Sequence, residues 1–397
     1  MTKKIMVAPA GATATKSRFT GRLLVQLDAK AELAAAMKGL DGFVLERLRI
    51  AVIEVSSAPA VKKMVGAKGS PFVASEPERV IRKIEDAGGS RAAGSGRGGA
   101  RPGGGFADSK AATWGIRAVN VLKSEFTGKG VKMAVLDTGF DFTHPDFEGR
   151  TIHRKSFVGR QAIDKDGHGT HCAGIAGGGR KGKAGFRYGV APGSKLYIGK
   201  ILDDKGEGSD GLALAGIEWA LEKGCRVISM SFGAEPEEGH SPIFESVAQT
   251  VLANRCLLVA ATGNDSKRGR MAPVNHPANC PSVLAVGALT AGMKVAEFSC
   301  GGSAWRGEGV GGSGARGGGQ VDLAAPGDEI LSAKVGGGYI LDSGTSMAAP
   351  FVAGMAALLW ERYPEAGAWE IWTRLMQHAR RLGLSAAAVG AGLVYAG

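Results

Sequence analysis

Four side chains in this sequence make an acyl-transfer site if folding brings them together: Asp137, His168, Asn264 and Ser346. A serine hydroxyl is a weak nucleophile until a base takes its proton. Histidine titrates near neutrality and can take it. A carboxylate fixes the imidazole tautomer and stabilises the imidazolium that forms. A side-chain amide and a backbone N–H can then hold the oxyanion, each donor contributing roughly 3 kcal/mol. Singly, each residue has an ordinary reading: strand-end turn former, surface histidine, loop cap, start of a helix.

The elements around them argue for the joint reading. Residues 131–136 (VKMAVL) are a buried strand that ends at Asp137, and 257–261 are another that leads to Asn264 through Thr262-Gly263. Open α/β sheets bind ligands at such carboxyl ends. His168-Gly169-Thr170-His171 opens a small-residue helix, with His168 just before it. Ser346 follows a Gly-flanked turn and precedes the apolar run 351–360, so it falls in the first turn of a buried helix. There the free N–H groups and the helix field favour negative charge. Pro350 is placed in the same turn, where its missing N–H costs no hydrogen bond.

Further strands are expected at 196–201, 227–230 and 282–286, with helices at 212–223 and 243–254, which predicts a mostly parallel sheet covered on both faces. Residues 21–84 read separately as a small α+β unit. Strands at 22–27, 43–48, 50–55 and 80–84 alternate with helices at 29–40 and 57–66, the ferredoxin-like order. Between the two units, residues 85–112 are dominated by Gly, Ala, Ser and Arg and predict a flexible linker. The division is therefore a tail at 1–20, the small unit at 21–84, the linker at 85–112 and an α/β domain at 113–397.

The chain has 397 residues, 44% of them hydrophobic, and no apolar run near the ~20 residues of a membrane span. A formal charge of +12 raises the question of a nucleic-acid partner. The basic residues are scattered, however, and Arg97-Gly98-Gly99 stands without a repeat, so solubility or substrate steering is the better reading. Five cysteines with no C-x-x-C pair argue against a metal site. The short N-terminal apolar patch, broken by Pro9, is a poor secretory signal. The expectation is a cytoplasmic chain with reduced cysteines, export by another route staying open.

Asp137-Thr138-Gly139, His168-Gly169-Thr170-His171 and Gly344-Thr345-Ser346-Met347-Ala348-Ala349-Pro350 together resemble the three active-site motifs of the subtilisin-like serine proteases, in that family's Asp, His, Ser order. Gly189-Val190-Ala191-Pro192, Gly216-Ile217-Glu218-Trp219-Ala220 and Ala324-Ala325-Pro326-Gly327 agree, and the resemblance runs from about Trp114 to the C-terminus. It implies an endopeptidase acting on proteins or peptides. Ser346 would be the nucleophile, His168 the base then acid, and Asp137 the orienting carboxylate. Asn264 and the Ser346 N–H would form the oxyanion hole. Gly206-Glu207-Gly208 and Ser231-Phe232-Gly233 match the segments that pair with an extended substrate. Asn275 matches the base of the P1 pocket, where a polar residue would favour polar or basic side chains.

By the same resemblance, residues 21–84 would be a propeptide that occupies the cleft as an inhibitor and is cut off within 85–112. The alternative is a regulated or silent scaffold that keeps this unit. The loop 177–189 stands where many relatives supply calcium ligands, but Arg180, Lys181 and Lys183 suit a cation poorly, and Asp146 alone matches a ligand. No cofactor is therefore expected. A second Gly-rich stretch, 301–319, falls where relatives have a short turn. Cys172 resembles the free thiol near the active site of some members, with packing under His168 as its expected role.

Overall fold

The computed structural model describes residues 17–84, 87, 91–92, 105–179, 185–237, 239–302 and 319–397. The N-terminal unit runs β1 (Phe19–Leu27), α1 (Leu33–Ala36), β2 (Gly42–Leu45), β3 (Ile50–Ile53), α2 (Ala58–Met64) and β4 (Phe72–Lys83). Its strands lie in the order β4-β1-β3-β2, all antiparallel, as the ferredoxin-like reading predicts. Period-two alternation builds two faces from the same strands. Leu23, Val25, Leu27, Ala51 and Ile53 join Val61 and Phe72 in the unit's own core. Leu24, Ile50, Val52 and Ile81 instead pack among Leu214, Ile217 and Phe244 of the larger domain. Docking thus buries the second face.

Two elements of this unit differ from the sequence expectation. The helix expected at 29–40 shrinks to Leu33–Ala36. The Asp28 carboxylate accepts from the Lys30 N–H at 2.8 Å, Glu32 caps the N–H groups of Ala34 and Ala35, and Gly39 turns left-handed at φ +75°. The strand expected at 80–84 begins eight residues earlier, at Phe72. Its Glu76-Pro77-Glu78 segment reads as a turn in sequence. In the fold, both glutamates find polar partners on the larger domain.

After a short strand β5 (Arg91–Ala92) comes α3 (Trp114–Ala118) and then a seven-stranded parallel sheet. Its strands are β6 (Lys132–Asp137), β7 (His153–Ser156), β8 (Lys195–Lys200), β10 (Val227–Met230), β12 (Leu257–Ala261), β13 (Leu284–Leu289) and β14 (Leu323–Pro326), in the order β14-β13-β12-β10-β6-β8-β7. The expected strand at 282–286 thus lies two residues later. Short strands β9 (Glu207–Ser209) and β11 (Phe232–Gly233) lie beyond the ends of β8 and β10, and β15 (Ile330–Ala333) pairs with β16 (Tyr339–Asp342). The helices are α4 (His168–Gly177), α5 (Asp210–Glu222), α6 (Pro242–Ala253), α7 (Thr345–Arg362), α8 (Ala368–His378) and α9 (Ala386–Val389). One apolar layer, with Trp114, Ile175 and Phe351, covers one face of the sheet; another, with Trp219 and Phe244, covers the other.

Pro350 departs from expectation in an instructive way. It is the sixth residue of α7, inside the helix rather than in its first turn. A proline there leaves the carbonyl four residues earlier without its N–H partner, and that carbonyl belongs to Ser346. It accepts instead from Ser231 Oγ at 2.9 Å and from Cys172 Sγ at 3.4 Å. The helix defect therefore ties the serine to two neighbouring segments.

Candidate active site

The parallel strands bring all four expected residues to one sheet edge. Asp137 is the last residue of β6, Asn264 lies three residues beyond β12, His168 opens α4 and Ser346 is the second residue of α7. Gly167, at φ +109°, makes the turn that starts α4. Asp164 organises that turn. Its Oδ1 accepts from the N–H groups of Asp166 and Gly167 and from the Thr138 hydroxyl, and its Oδ2 accepts from the Thr170 N–H and hydroxyl. The Thr138 hydroxyl accepts in turn from the Gly169 N–H at 2.9 Å. Strand end and helix start are thereby clamped together.

His168 Nδ1 donates to Asp137 Oδ1 at 2.8 Å, and both side chains are buried. The same oxygen accepts from the Thr138 N–H at 2.7 Å. Burial is the largest single influence on the imidazole and favours its neutral form, but the charge and hydrogen bond of Asp137, together with Cys172, outweigh it and raise the His168 pKa well above the usual value. Cys172 lies under the ring, its Sγ 3.9 Å from Nδ1. Burial pushes this thiol up to about 11, so it is protonated at neutral pH and packs rather than reacts. All five cysteines are buried and unpaired.

Ser346 is fully buried, and its Oγ lies 3.3 Å from the carbonyl oxygen of Ile84 and 3.3 Å from that of Ser231. The expected hydrogen bond to His168 is not formed. Nε2 of His168 has no hydrogen-bond partner among the described residues. With the carbonyls of Ile84 and Ser231 both in reach, the hydroxyl turns to them in this occupied cleft. Catalytic hydrogen bonds commonly tighten only when the reacting complex forms.

Asn264 is anchored through its oxygen, which accepts from the Thr345 N–H at 2.9 Å and the Thr345 hydroxyl at 3.0 Å. That assignment turns the amide NH₂ away from Thr345. A Cβ on Gly344 would stand 2.8 Å from this Nδ2, so glycine is required for the approach.

The occupant of the cleft is the end of β4. Val80, Ile81 and Arg82 pair antiparallel with Ser209, Gly208 and Glu207 on one side, and Arg82 and Lys83 pair with Gly233 and Phe232 on the other. The Lys83 N–H donates to the Gly206 carbonyl at 2.8 Å, and the Ile84 N–H to the Ser231 carbonyl at 3.4 Å. The two segments predicted to hold an extended chain thus hold one. Beyond the site, the Ala87 N–H donates to the Ser343 carbonyl at 2.8 Å, and β5 pairs with β16. Beside Ile84 lies a cleft of ≈ 370 Å³ lined by Gly233, Ala234, Asn264, Asp265 and Asn275. Asn275 Nδ2 donates to Asp265 Oδ2 at 2.7 Å.

Sequence reasoning missed Thr138, Asp164, Asp166, Asp265 and Thr345. Each stands within four residues of a recognised one, and the carboxylates at 164 and 166, just before His168, were the visible signal. Asp146 Oδ2 accepts from the hydroxyls of Tyr188 and Tyr339 at 2.8 and 2.7 Å. Arg180, Lys181, Lys183, most of the linker and most of the 301–319 stretch lie outside the described residues.

Comparison with known proteins bears on the family and the fold. The Subtilase family, Peptidase S8, matches residues 128–392. Subtilisin of Bacillus pumilus is 36% identical over 273 residues, covering 68% of this chain and 91% of that protein. A thermostable alkaline protease of Halalkalibacterium halodurans is 36% identical over 294 residues, covering 73% of each. The crystal structure of fervidolysin from Fervidobacterium pennivorans, a keratinolytic enzyme related to subtilisin, superposes with a TM-score of 0.74 at 25% identity. That match takes in 96% of this chain, N-terminal unit included, while the chain spans 61% of fervidolysin. Family match, relatives and fold converge: this chain belongs to the subtilase family of serine proteases.

Proposed function

We propose that the protein is a serine endopeptidase made as an inhibited precursor that cuts itself at the Ile84–Glu85 bond. The observation that carries this reading is the placement of Ile84, with its N–H on the Ser231 carbonyl and its own carbonyl oxygen 3.3 Å from Ser346 Oγ. In the reaction, Ser346 Oγ attacks the Ile84 carbonyl carbon while His168 Nε2 takes the hydroxyl proton. Asp137 holds the tautomer and stabilises the imidazolium. Asn264 Nδ2 and the Ser346 N–H receive the oxyanion. His168 then protonates the leaving amine of Glu85, and water, activated by the same imidazole, hydrolyses the acyl-enzyme. The N-terminal product, residues 1–84, stays behind with the end of β4 as a strand in the cleft. Substrates acting in trans would take its place as a third strand between β9 and β11.

The Asp265–Asn275 pair beside Ile84 favours a polar or basic P1 side chain, which isoleucine is not. Comparing cleavage after Arg, Leu and Phe tests this point, and a strong Phe preference would sink it. The second reading, a scaffold that retains its N-terminal unit, draws on the contacts of Ala87 and β5 beyond the scissile bond.

Intact mass of wild type beside Ser346→Ala decides between them. Wild type is expected to convert to a fragment that begins at Glu85, while Ser346→Ala stays at full length. If wild type also stays uncut and hydrolyses neither casein nor a peptide library, the active-protease reading fails.

A further inference from the structure

Asp166 takes part in no step above, yet its carboxylate is aimed at the strand in the cleft. Both of its oxygens accept from Nζ of Lys83, at 2.8 and 2.7 Å, with the Asp166 side chain only 12% exposed. The carboxylate is itself held in place, since Oδ1 also accepts from the His168 N–H at 3.2 Å. The lysine stem lies on Gly206. A Cβ built there would stand 2.7 Å from Lys83 Cγ and 2.8 Å from Cδ, so any side chain at 206 would occupy the same space. Gly206 also has φ +77°, which other residues resist. Its carbonyl accepts the Lys83 N–H. Backbone, stem and ammonium of one lysine are thus each met by a separate feature of the larger domain.

The adjoining pair, Arg82 with Glu207 at 3.0 Å, is more open, the side chains being 29% and 46% exposed. Exposed pairs of this kind contribute little, so selection falls on the Lys83 position.

We propose that Asp166 and Gly206 form a pocket that selects lysine at P2, the position just before the residue whose carbonyl is attacked. The substrates acting in trans are then peptides with a basic P2 residue, and Lys83 is the intramolecular copy of that recognition element. This rests on the protease reading. A lysine at P2 gains a charge-assisted, two-oxygen contact. Alanine leaves Asp166 to water, and glutamate meets it with a like charge.

The test uses the protein expressed as the full chain, with peptides that differ only at P2. For wild type, kcat/KM is expected to fall in the order Lys, Ala, Glu, with Lys over Ala at about tenfold or more. Asp166→Asn should shrink the Lys-to-Ala ratio toward one, and Asp166→Lys should place Glu above Lys. Equal rates for Lys and Ala in wild type overturn the proposal without any variant, as does an Asp166→Lys protein that still prefers Lys. Hydrolysis of none of the peptides overturns the protease reading and this inference with it, whereas hydrolysis indifferent to P2 overturns this inference alone.

Discussion

The carbonyl oxygen of Ile84 lies 3.3 Å from Oγ of Ser346, in a chain where 262 residues separate the two. The proposed nucleophile and the bond it would cut belong to one molecule, and the contact is produced by docking of the N-terminal unit. That docking is polar as well as apolar. Glu78 accepts from the Gly211 N–H in the first turn of α5, and Glu76 accepts from Ser241, the residue capping α6. Negative charge at helix N-termini is favourable, so the strand that delivers Ile84 is fastened by two helices of the larger domain.

Glu78 is the stronger of these fastenings. It is fully buried, and its carboxylate takes a forked pair of bonds from Arg22, at 2.6 and 2.8 Å, besides the Gly211 N–H at 2.9 Å. Glu78→Ala leaves the Arg22 guanidinium without its main partner. Breaking a buried pair in this way typically costs about 3–5 kcal/mol. In a Ser346→Ala background, which prevents self-cutting, urea unfolding of the N-terminal unit should shift to lower midpoint by a corresponding amount.

Asn264→Ala should lower kcat by about 10²–10³ with KM little changed, because in the proposed mechanism the amide acts on the oxyanion rather than on the ground-state carbonyl. Thr345→Val removes only the hydroxyl that positions Asn264 and should lower kcat in the same direction by less. Steady-state kinetics on one peptide separates the two effects.

The pH dependence follows from His168. In the proposed mechanism its imidazole must be neutral to accept the serine proton, and Asp137 helps raise its pKa above the usual value despite burial. Activity should therefore rise with pH along a limb lying above the ordinary histidine value of about 6.5. Asp137→Asn removes the charge that raises this pKa. The limb should move to lower pH while the rate falls by about 10⁴, measured as kcat/KM between pH 5 and 10.

Stability should carry a separate signature from Asp322. Burial raises this carboxyl to about 7, although the Ala285 N–H donates to it at 2.8 Å. The folded state holds this proton more tightly than the unfolded chain, whose aspartates titrate near 3.9. Its contribution is therefore fullest below pH 4 and is lost as pH rises to about 7. Asp322→Asn keeps the acceptor and removes the ionisation. In the Ser346→Ala background, the variant should gain on its parent between pH 4 and 8 in urea midpoints, and no change in the difference would refute the assignment.

The amino-acid sequence by itself is enough for the family and the α/β fold class, and it singles out four candidate site residues. Asp137, His168, Asn264 and Ser346 sit beside short-range signals: strand ends, a glycine turn, a small-residue helix. Such signals survive in one dimension because they reflect local backbone demands. The long strand β4 was not legible, since Glu76-Pro77-Glu78 has turn-like composition and its strand conformation is supported by partners 133 and 165 residues away. The position of Pro350 inside its helix is not legible for a related reason, because the hydrogen bonds that the Ser346 carbonyl accepts in compensation come from Ser231 and Cys172. Only the tertiary structure put Ile84 on Ser346 and Lys83 on Asp166. Those contacts depend on a whole domain docking through the second face of its sheet, and no local pattern encodes where a docked strand will end.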